Sequence, residues 1–124
     1  FCWLPIMHTV LVVEDDLALR ALMVRTLSEK GYRALEASDG VEALEQLAAD
    51  PDIELVVTDI VMPRMNGVEL AQRLAASAHT RLLFVSAYGE DYTELPASLL
   101  EKPFSPAALI AEVDKLLEVQ APSQ

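Results

Sequence analysis

Five side chains stand at the ends of apolar runs. Val10-Leu11-Val12-Val13 leads into Glu14-Asp15, Leu55-Val56-Val57-Thr58 into Asp59, Leu82-Leu83-Phe84-Val85 into Ser86, and Leu99-Leu100-Glu101 into Lys102. Three carboxylates, a hydroxyl and an ammonium are thus each delivered at the carboxyl end of a strand-like segment. If the four segments are neighbouring parallel strands, these groups converge on one sheet edge, where open α/β sheets bind their ligands. Carboxylates are the hard oxygen ligands that Mg2+ takes, while a hydroxyl and an ammonium donate to phosphoryl oxygens. The set reads as a Mg2+ and phosphoryl site.

The elements that must position these groups alternate along the chain. Thr9 to Val13 reads as a strand, and Leu17 to Lys30 carries apolar residues at 19, 22, 23 and 27, a helical spacing that Gly31 is placed to end. Arg33 to Ala37 is short and mixed in polarity, as an edge strand would be. Ser38-Asp39-Gly40 starts a helix with Val41, Leu44 and Leu47 on one face, and Asp50-Pro51 stops it. Ile53 to Thr58 is a second apolar strand; Asn66-Gly67 can begin a helix carrying Val68, Ala71, Leu74 and Ala75; Arg81 to Val85 is the next strand. Ser98 to Glu101 makes a last short strand, and Ser105-Pro106 supplies an N-cap and a first-turn proline for a helix striped by Leu109, Val113, Leu116 and Leu117. This alternation predicts a parallel sheet with helices on both faces.

The bulk composition narrows the function classes. A chain of 124 residues fits one domain, and 52% hydrophobic residues with only 6% aromatics predict a core of Val, Leu, Ile and Ala. Against 9 basic residues stand 20 acidic ones, a formal charge of −11 that repels phosphate backbones and anionic membranes. Neither nucleic-acid nor membrane contact by this chain is expected. Acids crowded at one sheet edge account for part of the excess, since a divalent cation would neutralise them; most of the rest is expected on solvated helix faces. One cysteine, Cys2, rules out an internal disulfide and fits a reducing, cytoplasmic compartment. No apolar stretch approaches the roughly 20 residues that span a bilayer, and Phe1-Cys2-Trp3-Leu4-Pro5 lacks the features of a signal peptide.

With these residues in place the sequence resembles the receiver domains of bacterial two-component signalling, found in response regulators and hybrid histidine kinases. The motifs that carry the resemblance are Val12-Val13-Glu14-Asp15, Asp59-Ile60-Val61-Met62-Pro63 with Met65-Asn66-Gly67, Ser86-Ala87 and Lys102-Pro103-Phe104. All four occur in order, each after a strand candidate. The resemblance covers residues 8–119, leaving 1–7 as a tail or the end of a preceding domain and 120–124 as a C-terminal tail. It implies a flavodoxin-like, doubly wound five-stranded parallel sheet of order 2-1-3-4-5. It further implies that Asp59 accepts a phosphoryl group from a phosphohistidine on a histidine kinase or phosphotransfer protein. Asp15 would hold Mg2+, with Glu14 direct or through water and with Asp59 and the Val61 carbonyl as further ligands. Ser86 and Lys102 would bind the phosphoryl oxygens, and Lys102-Pro103 is expected to be cis.

The chemistry requires those residue types. A carboxylate attacking phosphorus forms an acyl phosphate, so the negative charges of nucleophile and phosphoryl group must be screened. A shift of Ser86 toward the new phosphate would move its loop and make a switch. Catalysis would be limited to the chain's own phosphoryl transfer and hydrolysis. Plainer roles compete at each position: Glu14-Asp15-Asp16 could only cap the following helix, a role expected of Asp16, and a lone Lys102 would be a surface lysine. His8 and His79 fall at no strand's carboxyl end and are expected to be structural or exposed, and Met62 and Met65 to be packing residues. Two other functions compete with this one. A haloacid-dehalogenase-type phosphohydrolase lacks its Asp-x-Asp signature here, because Val61 occupies the second acid's place. A phosphate-independent docking module would not need the intact Glu14, Asp15, Asp59, Ser86 and Lys102.

Two departures from the family pattern are visible. Fifteen residues separate Ser86 from Lys102, close to the shortest practical crossover of about 10 to 12 residues once a strand is subtracted. The fourth helix of the family should therefore be a turn or two near Glu90 to Leu95, or absent. Leu99 stands three before the lysine, where the family carries an aromatic switch residue; Tyr88 or Tyr92 is a candidate substitute that spacing alone does not establish. Both changes alter the usual output face, so a monomer or weak dimer is expected. The opening Phe1-Cys2-Trp3-Leu4-Pro5 resembles the end of a histidine-kinase ATP-binding domain, which would make this the C-terminal receiver of a hybrid kinase.

Overall fold

The structure, a computed structural model, describes residues 7–60, 67–74, 80–86 and 98–117. Among the described residues are five strands, β1 (Thr9–Val13), β2 (Arg33–Ala37), β3 (Ile53–Asp59), β4 (Arg81–Ser86) and β5 (Ser98–Glu101). Four helices are described, α1 (Leu17–Lys30), α2 (Gly40–Ala49), α3 (Gly67–Leu74) and α4 (Pro106–Leu116). The strands form one sheet in the order β2-β1-β3-β4-β5, and every neighbouring pair is parallel. Fold class and strand order are those expected from the sequence. The crossover at 87–97, where the short or missing helix was expected, lies outside the described residues, as do Tyr88 and Tyr92.

Local chemistry sets the helix ends. Asp16 caps α1, its carboxylate accepting the amides of Ala18 and Leu19, and Gly31 closes the helix at φ 107°, a left-handed conformation that glycine adopts without a Cβ penalty. Asp39 accepts the Glu42 amide to cap α2, and Ser105 accepts the Ala108 amide ahead of Pro106. These caps satisfy amides that the first turn leaves without helical partners.

The sheet divides the core in two because successive side chains point to opposite faces. Val10, Val12, Leu55, Val57, Leu83 and Val85 face α1 and α4, meeting Met23, Leu27, Leu109 and Val113. Leu11, Val13 and Val56 face the other way, toward Ala43 and Leu70. Every residue of β1 is buried, as expected of a strand covered on both faces. The β1–β3 register slips between Thr9 and Val10, so that Glu54 has no opposite residue. Its carboxylate accepts from His8 Nδ1 at 3.0 Å and the Thr9 amide at 3.3 Å. His8 is therefore structural, as expected; His79 lies outside the described residues.

Of the apolar residues spaced along α1, Leu22 is 51% exposed, whereas Met23 and Leu27 are buried. Residues 19, 23 and 27 recur at one helical face, and Leu22 sits about 100° round the axis from Met23. On α3 the buried described side chain is Leu70; those of Val68, Ala71, Leu74 and Ala75 lie outside the described residues.

Candidate functional site

Register brings the polar groups to one edge. Val13 pairs with Thr58, so Glu14 and Asp59 are the next residues of adjacent strands; Asp59 pairs with Val85 and Ser86 with Glu101. The chain leaves β1 outward to β2 and returns beyond it to β3, so the edge between β1 and β3 is the sheet's switch point, the usual ligand crevice of this architecture.

Glu14, Asp15 and Asp59 each present a carboxylate oxygen within 4.8 Å of the others. Lys102 follows β5, two strands from β3 and about 10 Å across the sheet at the usual strand spacing. Its flexible stem carries the ammonium back over that gap. Nζ donates to Asp59 Oδ2 at 2.9 Å and to Glu14 Oε1 at 3.3 Å. The Lys102-Pro103 peptide is cis, as expected. Ser86 ends β4 beside this edge; the placement of its hydroxyl, like that of Val61, Met62 and Met65, lies outside the described part of the structure.

Electrostatics distinguish the members. Glu14 is only 1% exposed. Burial raises its pKa most, the Asp16 amide on Oε2 at 3.1 Å and the Lys102 charge pull it down, the Asp59 charge and Asp15 push it up, and the result is about 7. For Lys102, burial acts against the ammonium, but the hydrogen bond to Asp59 and the Glu14 and Asp59 charges together hold its pKa above the ordinary lysine value. An all-oxygen donor set in which one buried carboxylate resists ionising fits a small, hard divalent cation, and suits Mg2+ better than a thiolate-seeking metal.

The comparisons with known proteins decide the family. The response regulator receiver domain model matches residues 10–114, most of the chain. The chain belongs to this family. As a receiver it is 42% identical over 120 residues to the sensor kinase CckA of Brucella abortus, covering 90% of this chain but 13% of that protein. It is 32% identical over 118 residues to the receiver protein CpdR of the same organism, covering 90% of this chain and 98% of that one. Among solved structures, the receiver domain of the hybrid histidine kinase CckA superposes with a TM-score of 0.77 at 30% identity, over 88% of this chain and 98% of that one. The chemotaxis response regulator CheY4 of Vibrio cholerae superposes at 0.81 and 26% identity, over 90% and 99% of the two chains. This receiver spans a small part of CckA and almost all of CpdR.

Leu99, at the position of the family's aromatic, lies on β5 and is 39% exposed. Sequence reasoning missed Arg20, which donates to the Glu14 carbonyl, and Glu36, which reaches that edge through Arg20. The available signal was a basic residue one helical turn after the acidic cap, Asp16, a spacing that directs it back over the strand end.

Proposed function

We propose that this receiver is a phosphoacceptor switch with Asp59 as the acceptor, taking its phosphoryl group from a phosphohistidine on a histidine kinase or phosphotransfer protein. The observation that carries the reading is one ammonium, Lys102, bonded at once to the carboxylates of Glu14, just past β1, and Asp59, at the end of β3. An Asp59 carboxylate oxygen attacks phosphorus as the phosphorus–nitrogen bond breaks, and the electron pair leaves with the imidazole, which takes up a proton. An acyl phosphate on Asp59 and a neutral histidine result.

Before transfer, Lys102 shares the negative charge of Asp59; afterwards its ammonium is placed to follow the phosphoryl oxygens. Ser86 donates to another of those oxygens. Glu14, Asp15, Asp59 and the Val61 carbonyl would hold Mg2+, which supplies charge screening between nucleophile and phosphoryl group. The chain's chemistry ends with its own phosphoryl transfer and autodephosphorylation.

In this reading the receiver unit runs over 8–119, works in the cytoplasm as a monomer or weak dimer, and contacts neither nucleic acid nor membrane. Among the described residues no helix is long and apolar enough to cross a bilayer. Incubation with a small acyl-phosphate donor and Mg2+ is expected to give acid-stable, base-labile phosphate on the parent chain and none on Asp59→Asn. Equal incorporation by both removes Asp59 from the role.

A further inference from the structure

Arg20 lies one turn into α1 with its side chain only 14% exposed, and it ties the acidic edge to the neighbouring strand. Nη1 donates to the backbone carbonyl of Glu14 at 2.7 Å, and Nε donates to Glu36 Oε1 on β2 at 2.9 Å. The Glu14 amide donates to the Ala37 carbonyl of the same strand at 3.1 Å. Glu14 is therefore held at both its amide and its carbonyl, the first directly by β2 and the second through a guanidinium anchored on β2. The anchor is itself braced, because the Glu36 carbonyl accepts from Gln46 Nε2 of α2 at 3.1 Å.

These contacts matter because Glu14 lies just past the last residue of β1, beyond the regular ladder. The plane of the peptide joining Glu14 to Asp15 sets where the exposed Asp15 carboxylate departs, and hence whether it meets Glu14 and Asp59. A guanidinium has donors fixed in a planar fork and can serve two acceptors in different directions, whereas a lysine ammonium of the same charge has no such fixed geometry.

We propose that Arg20, moored by Glu36, is a positioning residue that sets the Glu14-Asp15 peptide so that the three carboxylates converge on a divalent cation. The inference rests on the Mg2+ and phosphoacceptor reading above, and it adds a residue that touches neither the cation nor the phosphoryl group.

The test is a Mg2+ titration of the folded protein by calorimetry, comparing the parent with Arg20→Lys, Glu36→Ala and the double variant. Arg20→Lys keeps the charge, so a change in affinity reports geometry and not Coulomb attraction. Outer residues that orient metal ligands typically contribute ten- to a hundredfold in affinity, and about a tenfold loss is expected here. The double variant should be no weaker than Arg20→Lys alone, because the two side chains act through one contact. With an acyl-phosphate donor, the Mg2+ concentration for half-maximal phosphorylation should rise in step while the rate at saturating Mg2+ stays within about twofold. Undiminished Mg2+ affinity in Arg20→Lys overturns the positioning role alone, as does a loss seen only in parallel with unfolding. Failure of the parent to take up Mg2+ overturns both this role and the cation site beneath it.

Discussion

Replacing Glu14 by Gln should make the metal-free protein more stable above neutral pH. The Glu14 carboxyl, ordinarily at 4.5, is pushed up to about 7, chiefly by burial. Between those values the folded chain holds a proton that the unfolded chain has lost, so stability falls as pH rises. The stabilising share is complete below pH 4.5 and disappears as pH climbs through 7. At about 1.4 kcal/mol per tenfold change in proton affinity, a carboxylate forced to ionise at pH 8 costs about 3 kcal/mol. Gln resembles the protonated acid: one oxygen can still accept the Asp16 amide, and Lys102 keeps Asp59. Chemical denaturation without divalent cation should therefore find the two proteins nearly equal at pH 5 and Glu14→Gln more stable by about 3 kcal/mol at pH 8, roughly 10 °C in melting temperature for a domain of this size. Added Mg2+ should close the gap by stabilising the parent, about 2.7 kcal/mol at a hundredfold excess over its dissociation constant. A difference that is the same at pH 5 and pH 8 would refute the assignment of the strain to a buried charge.

Two further outcomes follow from packing. Leu27→Ala removes a fully buried side chain between α1 and the sheet and should lower unfolding free energy by about 2–5 kcal/mol in urea titration. Leu22→Glu changes a side chain on the exposed flank of α1 and should leave unfolding free energy within about 0.5 kcal/mol of the parent in the same titration; a loss as large as that of Leu27→Ala would place Leu22 in the core.

Much of this receiver was legible in its residues because local rules fix local structure. Asp16, Asp39 and Ser105 announce helix starts through their acceptor side chains, Gly31 announces an end, and apolar runs of three or four residues announce covered strands. The cluster of carboxylates and lysine was legible for a related reason: a parallel sheet carries whatever follows each strand to the same edge, so serial order already implies the meeting of Glu14, Asp15, Asp59 and Lys102. The exposure of Leu22 was not legible, because hydrophobic type does not reveal on which side of a helix the sheet lies.

By itself, then, the sequence determined the succession of elements and the chemical identity of the groups at the strand ends, both consequences of side-chain type and short-range spacing. Only the tertiary structure decided how those groups are charged and held. The pKa of Glu14 depends on burial and on Asp59, 45 positions away in the chain. The Arg20 contact with the Glu14 carbonyl and Glu36 depends on β2 packing beside β1. Burial and long-range hydrogen bonds arise when distant segments share a volume, and no window of neighbouring residues contains them.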